Sequence, residues 1–565
     1  MSELSRRNFL KGAGLGAGAL VVGASSVGAL AGCSPQSANE PAATSSSGEA
    51  ATTGADASQP SYMNRAPVGE PEETVQADFV ICGAGGCGMA ALLQADDLGL
   101  NAILLEKKQV AGGTFAFAGV SFAPNSHFAT DAGKHVDLND IIKSIQVYNH
   151  YIPSTLLLKN YLEEIPETVT WCESVGVQFM DMGGFFGDAP YGVEMPFSMA
   201  LAYGADGMSM GSEDGTLGGK TVIEAFVAEV EKRGLDIRYS TAAQELVQDA
   251  SGKITGVLAT DDAGKVIKFE APAVLLCTGG WGSNPDFLRE LGKVNPDRVI
   301  SSGYDGRDGD GVYMARKAGA AWARGDGTIM FYGPHLPGAT WGDNLYNGVY
   351  QPVLWVDQNG NRFMNEGGAN QMEVGSAIRD IPRMFVLSNQ SEIDRLTAEG
   401  GFQGNDNGAG GSGTLEQFKE MLEKQIADGN ERIHVADTLD ALASATGAAN
   451  LKETVERYNQ LCAAGVDEDF QKDASFLRPL EAGPFYAFEC DDGFYTTVGG
   501  MRINEDILAV DDNGEIIEGL YVAGCDTGAL CGDIYDFTSA PGEQSSWALN
   551  SGRMVAKHVA QAQGK

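Results

Sequence analysis

The stretch ADFVICGAGGCGMAALLQADDLGLNAILLEKK, residues 77 to 108, decides the fold. An apolar strand runs into a G-x-G-x-x-G turn from Gly83 to Gly88, a helical segment follows, and a second apolar strand ends in Glu106. Within roughly 30 residues this order is typical of a dinucleotide-binding unit, because the glycines let a pyrophosphate approach the helix N-terminus. We predict nucleotide contacts from Gly83, Gly85, Gly86, Gly88 and Glu106, with the carboxylate of Glu106 accepting hydrogen bonds from ribose hydroxyls.

Later segments must decide between NAD and FAD, because both cofactors share this fingerprint. GGT follows at residues 112 to 114, where a loop would meet a ribityl chain or a flavin ring. A wholly apolar strand ends in TGG at 278 to 280, and EGLYVAG at 518 to 524 is another strand that leads into a glycine turn. PGEQSSWALNSGRMVAKHVAQAQ, residues 541 to 563, is predicted to be a helix with one apolar face.

Length and charge limit the architecture and the partners. At 565 residues the chain exceeds the size at which one core stops growing, so we expect at least two domains. Thirty-eight basic against 76 acidic residues give a formal net charge of −38. This balance argues against nucleic acid and against peripheral docking on anionic lipid. A solvated acidic surface is the expected reading, and a basic protein partner is the alternative.

The N-terminus predicts export and lipid attachment. SRRNFLK, residues 5 to 11, has the pattern of a twin-arginine signal, and an apolar stretch follows it. LAGC, residues 30 to 33, resembles a bacterial lipobox, so we expect cleavage before Cys33 and lipidation of its thiol. Residues 34 to 75 predict a flexible tether. The mature protein is therefore expected at the extracytoplasmic face of the cell membrane, attached by lipid only.

Eight further cysteines follow Cys33, and none of them forms C-x-x-C or C-x-x-C-H. Their spacing therefore gives no zinc, haem c or ferredoxin signature, and no metal ligand is predicted. Buried free thiols are the expected state, since cysteine behaves as a small hydrophobe. A disulfide outside the cytoplasm and an iron–sulfur cluster with scattered ligands stay open, although the spacing does not support a cluster.

In order along residues 76 to 562, six motifs resemble one flavoprotein family. They are the glycine turn at 83 to 88, GGT, TGG, GDG at 309 to 311, NRFMNE at 361 to 366, and EGLYVAG. The family includes fumarate reductase and succinate dehydrogenase subunits, urocanate reductase, 3-ketosteroid dehydrogenases and a cardiac glycoside reductase of gut actinobacteria. The resemblance implies FAD as the cofactor. It further implies cofactor contacts from Gly112, Gly113, Thr114, Thr278, Gly279, Gly280, Asp310, Gly524 and Ser545.

The resemblance also implies the domain organisation. An α/β, Rossmann-like FAD-binding domain of the glutathione-reductase type should be interrupted by an α+β capping domain, with substrate bound between the two. By position, residues 1–33 are the signal with its lipobox and residues 34–75 the tether. Residues 76–327 and 497–565 are then the two parts of the FAD-binding domain, and residues 328–496 are the cap.

Three positions that serve a dicarboxylate substrate in fumarate reductases differ here. The proton-donating arginine expected four residues after Glu366 is replaced by Asn370, whose amide cannot deliver a proton. The histidine of H-x-T-M-G-G is replaced by Tyr495, and the carboxylate-clamping arginine by Tyr535 or Ser539, depending on the alignment. Each charge-assisted contact is worth about 1.5–3 kcal/mol. Fumarate is therefore not the expected substrate.

Tyrosines take these places, in a pattern similar to the 3-ketosteroid dehydrogenases. In that branch a tyrosine is the acid or base, and a tyrosine hydroxyl with a glycine amide polarises a ketone; a neutral phenol can do both. The catalytic candidates implied are Tyr495, Tyr535, Tyr332 and His335, and the substrate-binding candidates are Gly499, Gly500 and Asn370. A place in the core is the alternative for each tyrosine and for the histidine.

Two arginines in and after the NRFMNE segment, Arg362 and Arg379, have separate interpretations. Arg362 pairs in sequence with Glu366 and is expected to support the site rather than to react. Arg379 is the nearest stand-in for the missing acid, with a surface salt bridge as its alternative.

These features favour an exported FAD-dependent reductase that adds hydride to the C=C bond of an enone, unsaturated lactone or arylacrylate. Electrons are expected from a separate membrane-bound, quinol-oxidising cytochrome, because the chain has no C-x-x-C-H haem site and NADH is absent outside the cytoplasm. The alternatives are a 3-ketosteroid-type flavin dehydrogenase and an electron-transfer flavoprotein without its own substrate. The substrate itself and the oligomeric state are not encoded in any motif.

Overall fold

A computed structural model describes residues 60–181, 200–204, 217–367, 371–403, 412–537 and 539–565. Cys33 and Asn370, and with them the lipidation site and the amide at the family's arginine position, lie outside these residues. The strands of the described ranges are β1 (Glu73–Gln76), β2 (Phe79–Cys82), β3 (Ala102–Leu105), β4 (Val120–Phe122), β5 (Phe179–Asp181), β6 (Ala200–Tyr203), β7 (Asp236–Arg238), β8 (Ala242–Gln248), β9 (Ile254–Thr260), β10 (Val266–Glu270), β11 (Val274–Leu276), β12 (Val299–Ser301), β13 (Ile329–His335), β14 (Leu354–Asp357), β15 (Met384–Asn389), β16 (Ile433–Ala436), β17 (Phe485–Thr497), β18 (Leu508–Val510) and β19 (Ile516–Val522).

The α-helices of the same ranges alternate with these strands. They are α1 (Gly86–Asp97), α2 (His127–Asp131), α3 (Leu138–Tyr148), α4 (Thr155–Ser174), α5 (Gly219–Arg233), α6 (Pro285–Glu290), α7 (Asp310–Lys317), α8 (Asn344–Val349), α9 (Gln371–Ile378), α10 (Gln390–Glu399), α11 (Phe418–Ala427), α12 (Leu439–Thr446), α13 (Leu451–Ala464) and α14 (Glu543–Ala562). None of these helices is long and apolar enough to cross a membrane.

The central sheet has six strands in the order β18-β19-β11-β2-β3-β7. Its inner pairs are parallel, and only β18 runs antiparallel to its neighbour. Every residue of β2, β3 and β11 is buried, as expected for parallel strands that are covered on both faces. β2, α1 and β3 follow one another as the sequence predicts, so the fingerprint begins at the centre of this sheet.

The C-terminal helix α14 packs tightly on α1. A Cβ atom at Gly552 would lie 2.2 Å from the carbonyl oxygen of Cys87, so only glycine permits this approach. Arg553 next to it is 1% exposed, and its guanidinium donates to Gln94 of α1 and to Thr168 of α4. The C-terminal helix α14 is therefore packed against the same β2–α1–β3 unit that contains the first glycine turn.

A second large sheet lies between β11 and β18 along the chain. Its order is β12-β17-β15-β14, and β13 and β16 also pair with the 13-residue strand β17. β13 runs antiparallel to β17, with Phe331 opposite Phe494 and Tyr332 opposite Gly493. The C-terminal end of β17 therefore lies beside the segment in which the sequence predicts the start of a cap. The exact domain boundaries stay a prediction.

Two smaller sheets complete the described chain. One has the order β1-β10-β9-β8 and the other β4-β6-β5. All eight cysteines after Cys33 have free thiols, and six of them are buried. Among the described residues, no group of His, Cys, Asp or Glu is arranged to hold a metal ion.

Candidate active site

The glycine turn between β2 and α1 is built for close approach. Gly83 has φ +112°, and a Cβ atom there would lie 2.5 Å from the carbonyl oxygen of Cys277. A Cβ atom at Gly88 would lie 1.9 Å from the carbonyl oxygen of Gly83, so a side chain would push the helix off the turn. At Gly85 the nearest atom would be 3.8 Å away, which leaves open space above the helix N-terminus. This cradle fits a pyrophosphate held by backbone N–H groups.

Glu106 fixes the other side of the same turn. Its Oε2 accepts a hydrogen bond from the backbone N–H of Ala84 at 2.8 Å, and its Oε1 accepts from the N–H of Lys108 at 2.8 Å. Each carboxylate oxygen has a second lone pair, so the group can also accept from ribose hydroxyls. Glu106 lines the cavity that starts at this point.

Asp526, which no sequence motif singles out, organises the TGG turn after β11. Its carboxylate is fully buried and accepts from the N–H groups of Thr278 at 2.6 Å and Gly280 at 2.7 Å. The hydroxyl of Thr278 also donates to Asp526 and accepts from the N–H of Gly311 at the start of α7. Burial raises the pKa of Asp526 to about 6, although the hydrogen bonds from the Thr278 turn oppose this rise. One acid thus joins three segments of the nucleotide site.

Asp310 is held by two cations at the cavity wall. Lys107 Nζ lies 2.6 Å from one of its oxygens, and Arg65 lies 2.5 Å from the other. Burial alone would raise the pKa of Asp310, but the attraction of Lys107 and then of Arg65 keeps it below its usual value. The predicted cofactor contact at Asp310 is therefore an ionised carboxylate.

One cavity is lined by residues of these turns, of β17 and of the C-terminal helix. The predicted residues that line it are Gly83, Gly85, Gly86, Glu106, Gly113, Thr114, Thr278, Gly279, Asp310, Gly524, Ser545, Tyr495 and Tyr535. Gly88, Gly112 and Gly280 lie behind its wall, where they shape the turns. For example, the N–H of Gly112 donates to the carbonyl of Ala84 at 2.8 Å.

The end of the cavity next to β17 is aromatic and neutral; we call it the aromatic end. The lining residues that we group under this name are Met330, Trp341, Met372, Tyr495, Thr496, Tyr535, Phe537 and Gln544. The cation Arg307 also lines the cavity and contacts the backbone of Tyr495. The ring of Tyr495 packs 4.6 Å from the ring of Tyr332 and 5.6 Å from that of Trp341. Burial, followed by the proximity of Glu543, holds the pKa of Tyr535 well above its usual value, so its phenol is neutral.

Tyr332 and His335 stand one layer behind the cavity. Tyr332 is fully buried and His335 is 2% exposed. The Tyr332 hydroxyl contacts His335 Nδ1 at 2.8 Å and also the hydroxyl of Ser302, and Ser302 lines the cavity. Burial lowers the pKa of His335 to about 4, so its imidazole is neutral near pH 7. These two predicted residues therefore reach the cavity only through Ser302.

Three other predicted site residues do not line the cavity, and two of them are glycines. The N–H of Gly499 already donates to the carbonyl of Thr328 at 3.0 Å, so it is not offered to a substrate. Gly500 does not line the cavity either; a Cβ atom there would lie 2.3 Å from the carbonyl oxygen of Asp526. These glycines are explained by close backbone packing, which a sequence motif cannot distinguish from a free amide.

Arg379 is the third, and it also lies away from the cavity. Its guanidinium carbon lies 5.9 Å from the centre of the Phe331 ring, and its Nε lies 3.7 Å from Asp380, a side chain that is 84% exposed. This position matches the surface salt bridge that was the alternative. It gives no support to a role for Arg379 as the proton donor.

Arg362 and Glu366 form a buried network apart from the cavity. Arg362 donates to both carboxylate oxygens of Glu366, at 2.8 and 2.7 Å, and to Asp467 at 2.7 Å. Lys472 lies 3.4 Å from Glu366. Arg362 and Glu366 thus tie the NRFMNE segment to residues 467–472, which is consistent with the supporting role expected for this pair.

Arg307 is the second residue of the site that no sequence motif singles out. It is 3% exposed and lines the cavity, and its Nη1 donates to the backbone carbonyl of Tyr495 at 2.7 Å. Its Nε donates to the carbonyl of Tyr304 at 2.8 Å, and its Nη2 to the hydroxyl of Ser301. Burial lowers the pKa of Arg307 to about 10, so it remains a cation. It ties the loop before α7 to β17 and holds the backbone of Tyr495 in place.

Comparison with known proteins identifies a family and several relatives that the chain resembles. Residues 78–539 match the family described as FAD binding domain, and residues 3–23 match the twin-arginine translocation pathway signal sequence. The chain is 29% identical to the vinyl phenol reductase of Lactiplantibacillus plantarum over 86% of this chain and 96% of that protein. It is 27% identical to the urocanate reductase of Eggerthella lenta over 81% of this chain and 71% of that protein.

Among solved structures, the 3-ketosteroid Δ1-dehydrogenase of Sterolibacterium denitrificans superposes with a TM-score of 0.70 at 19% identity. The match covers 86% of this chain and all of that one. This likeness concerns the fold alone, and it confirms the α/β FAD-binding architecture. The resemblance to the flavoprotein family and the prediction of FAD are confirmed by the matched residues.

Proposed function

Since the chain belongs to the FAD binding domain family, we propose that it is an exported reductase of α,β-unsaturated carbonyl compounds. It is an FAD-dependent oxidoreductase that acts on CH–CH groups. The finer proposal is that hydride passes from FAD to the C=C bond of an enone, an unsaturated lactone or an arylacrylate. The names of two relatives, a vinyl phenol reductase and a urocanate reductase, are consistent with an unsaturated substrate.

One observation carries the proposal. The cavity runs from the glycine turns to the aromatic end, and the side chains grouped under that name are uncharged. Arg307, a cation that also lines the cavity, donates from each of its three nitrogens to a protein acceptor, which leaves two of its five N–H groups. Those two groups suffice for one carboxylate at most, so a dicarboxylate would lose the hydration of its second charge without gaining a partner. An enone, an unsaturated lactone or an arylacrylate carries at most one charge, and its planar conjugated system would fill an apolar, aromatic space. This favours an aromatic or alicyclic unsaturated substrate over fumarate.

When bound, FAD supplies the hydride. In the proposal, the turn at Gly83 to Gly86 and the carboxylate of Glu106 hold the nucleotide half of the cofactor, and the turns at Thr278 and Gly524 hold the rest. Tyr495 is the proposed proton donor, because it is the predicted tyrosine that lines the cavity and has its backbone fixed by Arg307. Its hydroxyl gives a proton to one alkene carbon as hydride reaches the other, and solvent restores the phenol. Tyr535 is the second candidate for this role.

The electron donor is proposed to be a membrane-bound cytochrome that oxidises quinol. The twin-arginine signal supports export, and a lipid on Cys33 would keep the flavin near such a partner at high effective concentration. We expect reduced methyl viologen, but not NADH, to drive turnover of the purified holoenzyme. Robust NADH-dependent turnover would contradict this part of the proposal.

An acceptor panel tests the reaction itself. With reduced viologen, we expect loss of the C=C bond in an enone or arylacrylate, and turnover of fumarate at least about 100-fold slower, given two or more missing charge-assisted contacts. Steroid-dependent reduction of an oxidised dye would instead favour the ketosteroid-type dehydrogenase. Flavin cycling without any product would favour an electron-transfer protein.

A further inference from the structure

A chain of three hydrogen bonds runs from the cavity wall into the core of the second large sheet. The hydroxyl of Ser302 contacts the hydroxyl of Tyr332, and Tyr332 contacts His335 Nδ1 at 2.8 Å. His335 Nε2 lies 3.0 Å from the carbonyl oxygen of Ala339. Ser302 is the only member of this chain that lines the cavity, so the other members act on the cavity through it.

The polarity of the chain follows from its inner end. A carbonyl oxygen can only accept, so Nε2 of His335 must carry the proton that it donates to Ala339. The imidazole is buried and neutral, and therefore its Nδ1 has a lone pair and accepts the single proton of the Tyr332 hydroxyl. The oxygen of Tyr332 can then only accept from Ser302. Each hydroxyl in the chain thus donates away from the cavity.

The direction of these hydrogen bonds determines whether Ser302 can donate or accept at the cavity. Its only proton is committed to Tyr332, and the lone pairs of its oxygen remain for the cavity. The proton of Tyr332 is likewise committed to His335, which counts against Tyr332 as a donor to the substrate. The wall beside the aromatic end therefore presents a hydrogen-bond acceptor whose direction is fixed from behind by two buried side chains.

We infer that Ser302 is a specificity residue that accepts a hydrogen bond from a hydroxyl group on the substrate. The inference rests on the proposed function, and it narrows the substrate class to hydroxyaryl compounds with a conjugated C=C bond. The aromatic end, with Trp341, Tyr495 and Phe537 in its lining, suits the aryl ring, and Ser302 suits its hydroxyl. A methoxy group at this position is itself only an acceptor. It could form no hydrogen bond with Ser302, because neither oxygen would have a proton to donate.

The test compares 4-hydroxycinnamate, 4-methoxycinnamate and cinnamate with reduced viologen as the donor. The wild-type holoenzyme should prefer the hydroxy compound, and Ser302→Ala should reduce the hydroxy-to-methoxy ratio of kcat/KM by about tenfold, the value of one neutral hydrogen bond. Tyr332→Phe should also change this ratio, for a different reason. It removes the acceptor behind Ser302, so the serine hydroxyl can turn and donate to the methoxy oxygen, and the methoxy compound should gain.

Binding gives a readout that is independent of turnover. The saturated acid 3-(4-hydroxyphenyl)propionate should perturb the flavin absorbance of the oxidised holoenzyme, with weaker binding to Ser302→Ala. If the acrylates bind but are not reduced, the proposed function fails while the role of Ser302 is still decided by these affinities. If turnover persists with an equal ratio in wild type and Ser302→Ala, the inference is overturned. It is also overturned if Ser302→Ala shifts the resting flavin spectrum and leaves the ratio unchanged, because the acceptor would then serve an N–H group of the flavin.

Discussion

Tyr495→Phe is expected to lower turnover by about 100-fold or more while FAD loading stays at the wild-type level. The substitution removes one hydroxyl from a ring that lines the aromatic end and keeps its contacts with Tyr332 and Trp341. Its backbone hydrogen bond with Arg307 also survives, because that bond uses the carbonyl group. The measurement is the rate of reduced viologen oxidation with an arylacrylate, together with the flavin-to-protein absorbance ratio.

Two tyrosines serve as matched controls. Tyr304 also lines the cavity, and Tyr304→Phe should leave the rate within a few-fold of wild type. Tyr535→Phe separates the two candidate acids: a loss confined to Tyr535→Phe would transfer the proton-donating role to Tyr535. Unchanged rates in Tyr495→Phe would remove Tyr495 from the mechanism.

Glu106→Ala is expected to weaken FAD binding by about 10- to 100-fold, since hydrogen bonds to a charged group contribute about 1.5–3 kcal/mol. Two effects add. The backbone N–H groups of Ala84 and Lys108 lose the carboxylate that orders the turn, and the ribose hydroxyls lose their acceptor. The dissociation constant can be measured by titrating the apoprotein with FAD and following the flavin fluorescence.

Glu270→Ala is the control for this substitution. Glu270 also accepts hydrogen bonds, from Gln76 and Lys268, but it lies on β10 outside the cavity. Its removal should leave FAD affinity at the wild-type value. Equal FAD affinities in the wild type, Glu106→Ala and Glu270→Ala would refute the role of Glu106 as the nucleotide-binding acid.

Local patterns in the sequence predict the strand, glycine turn and helix of the candidate nucleotide site, and the structure has them in that order. The strand, glycine turn, helix and acid fall within one stretch of chain, and the spacing of side chains there fixes the geometry directly. Gly88 illustrates this, because its contact with the Gly83 carbonyl is made five residues away along the chain. FAD rather than NAD does not follow from this stretch; it follows from the resemblance of six motifs along residues 76 to 562 to one flavoprotein family.

The substrate half could not be predicted in the same way, because its contacts join distant segments. Arg307 and Tyr495, for example, are 188 positions apart. Which tyrosine reaches the cavity depends on how β17 pairs with β13, and this register is invisible in a motif. Gly499 shows the same limit of motif-based prediction. Its position in the motif suggests an amide that is available to a substrate, but in the folded chain its N–H donates to the carbonyl of Thr328.

The most direct test of the central claim is a single turnover without any electron donor. The holoenzyme is reduced anaerobically to the two-electron level and mixed with an enone, an unsaturated lactone or an arylacrylate in a stopped-flow spectrometer. The account predicts that at least one of these compounds reoxidises the flavin and yields one equivalent of its saturated product per flavin. A flavin that stays reduced with every compound of the panel, yet is reoxidised at once by an artificial dye, would contradict it.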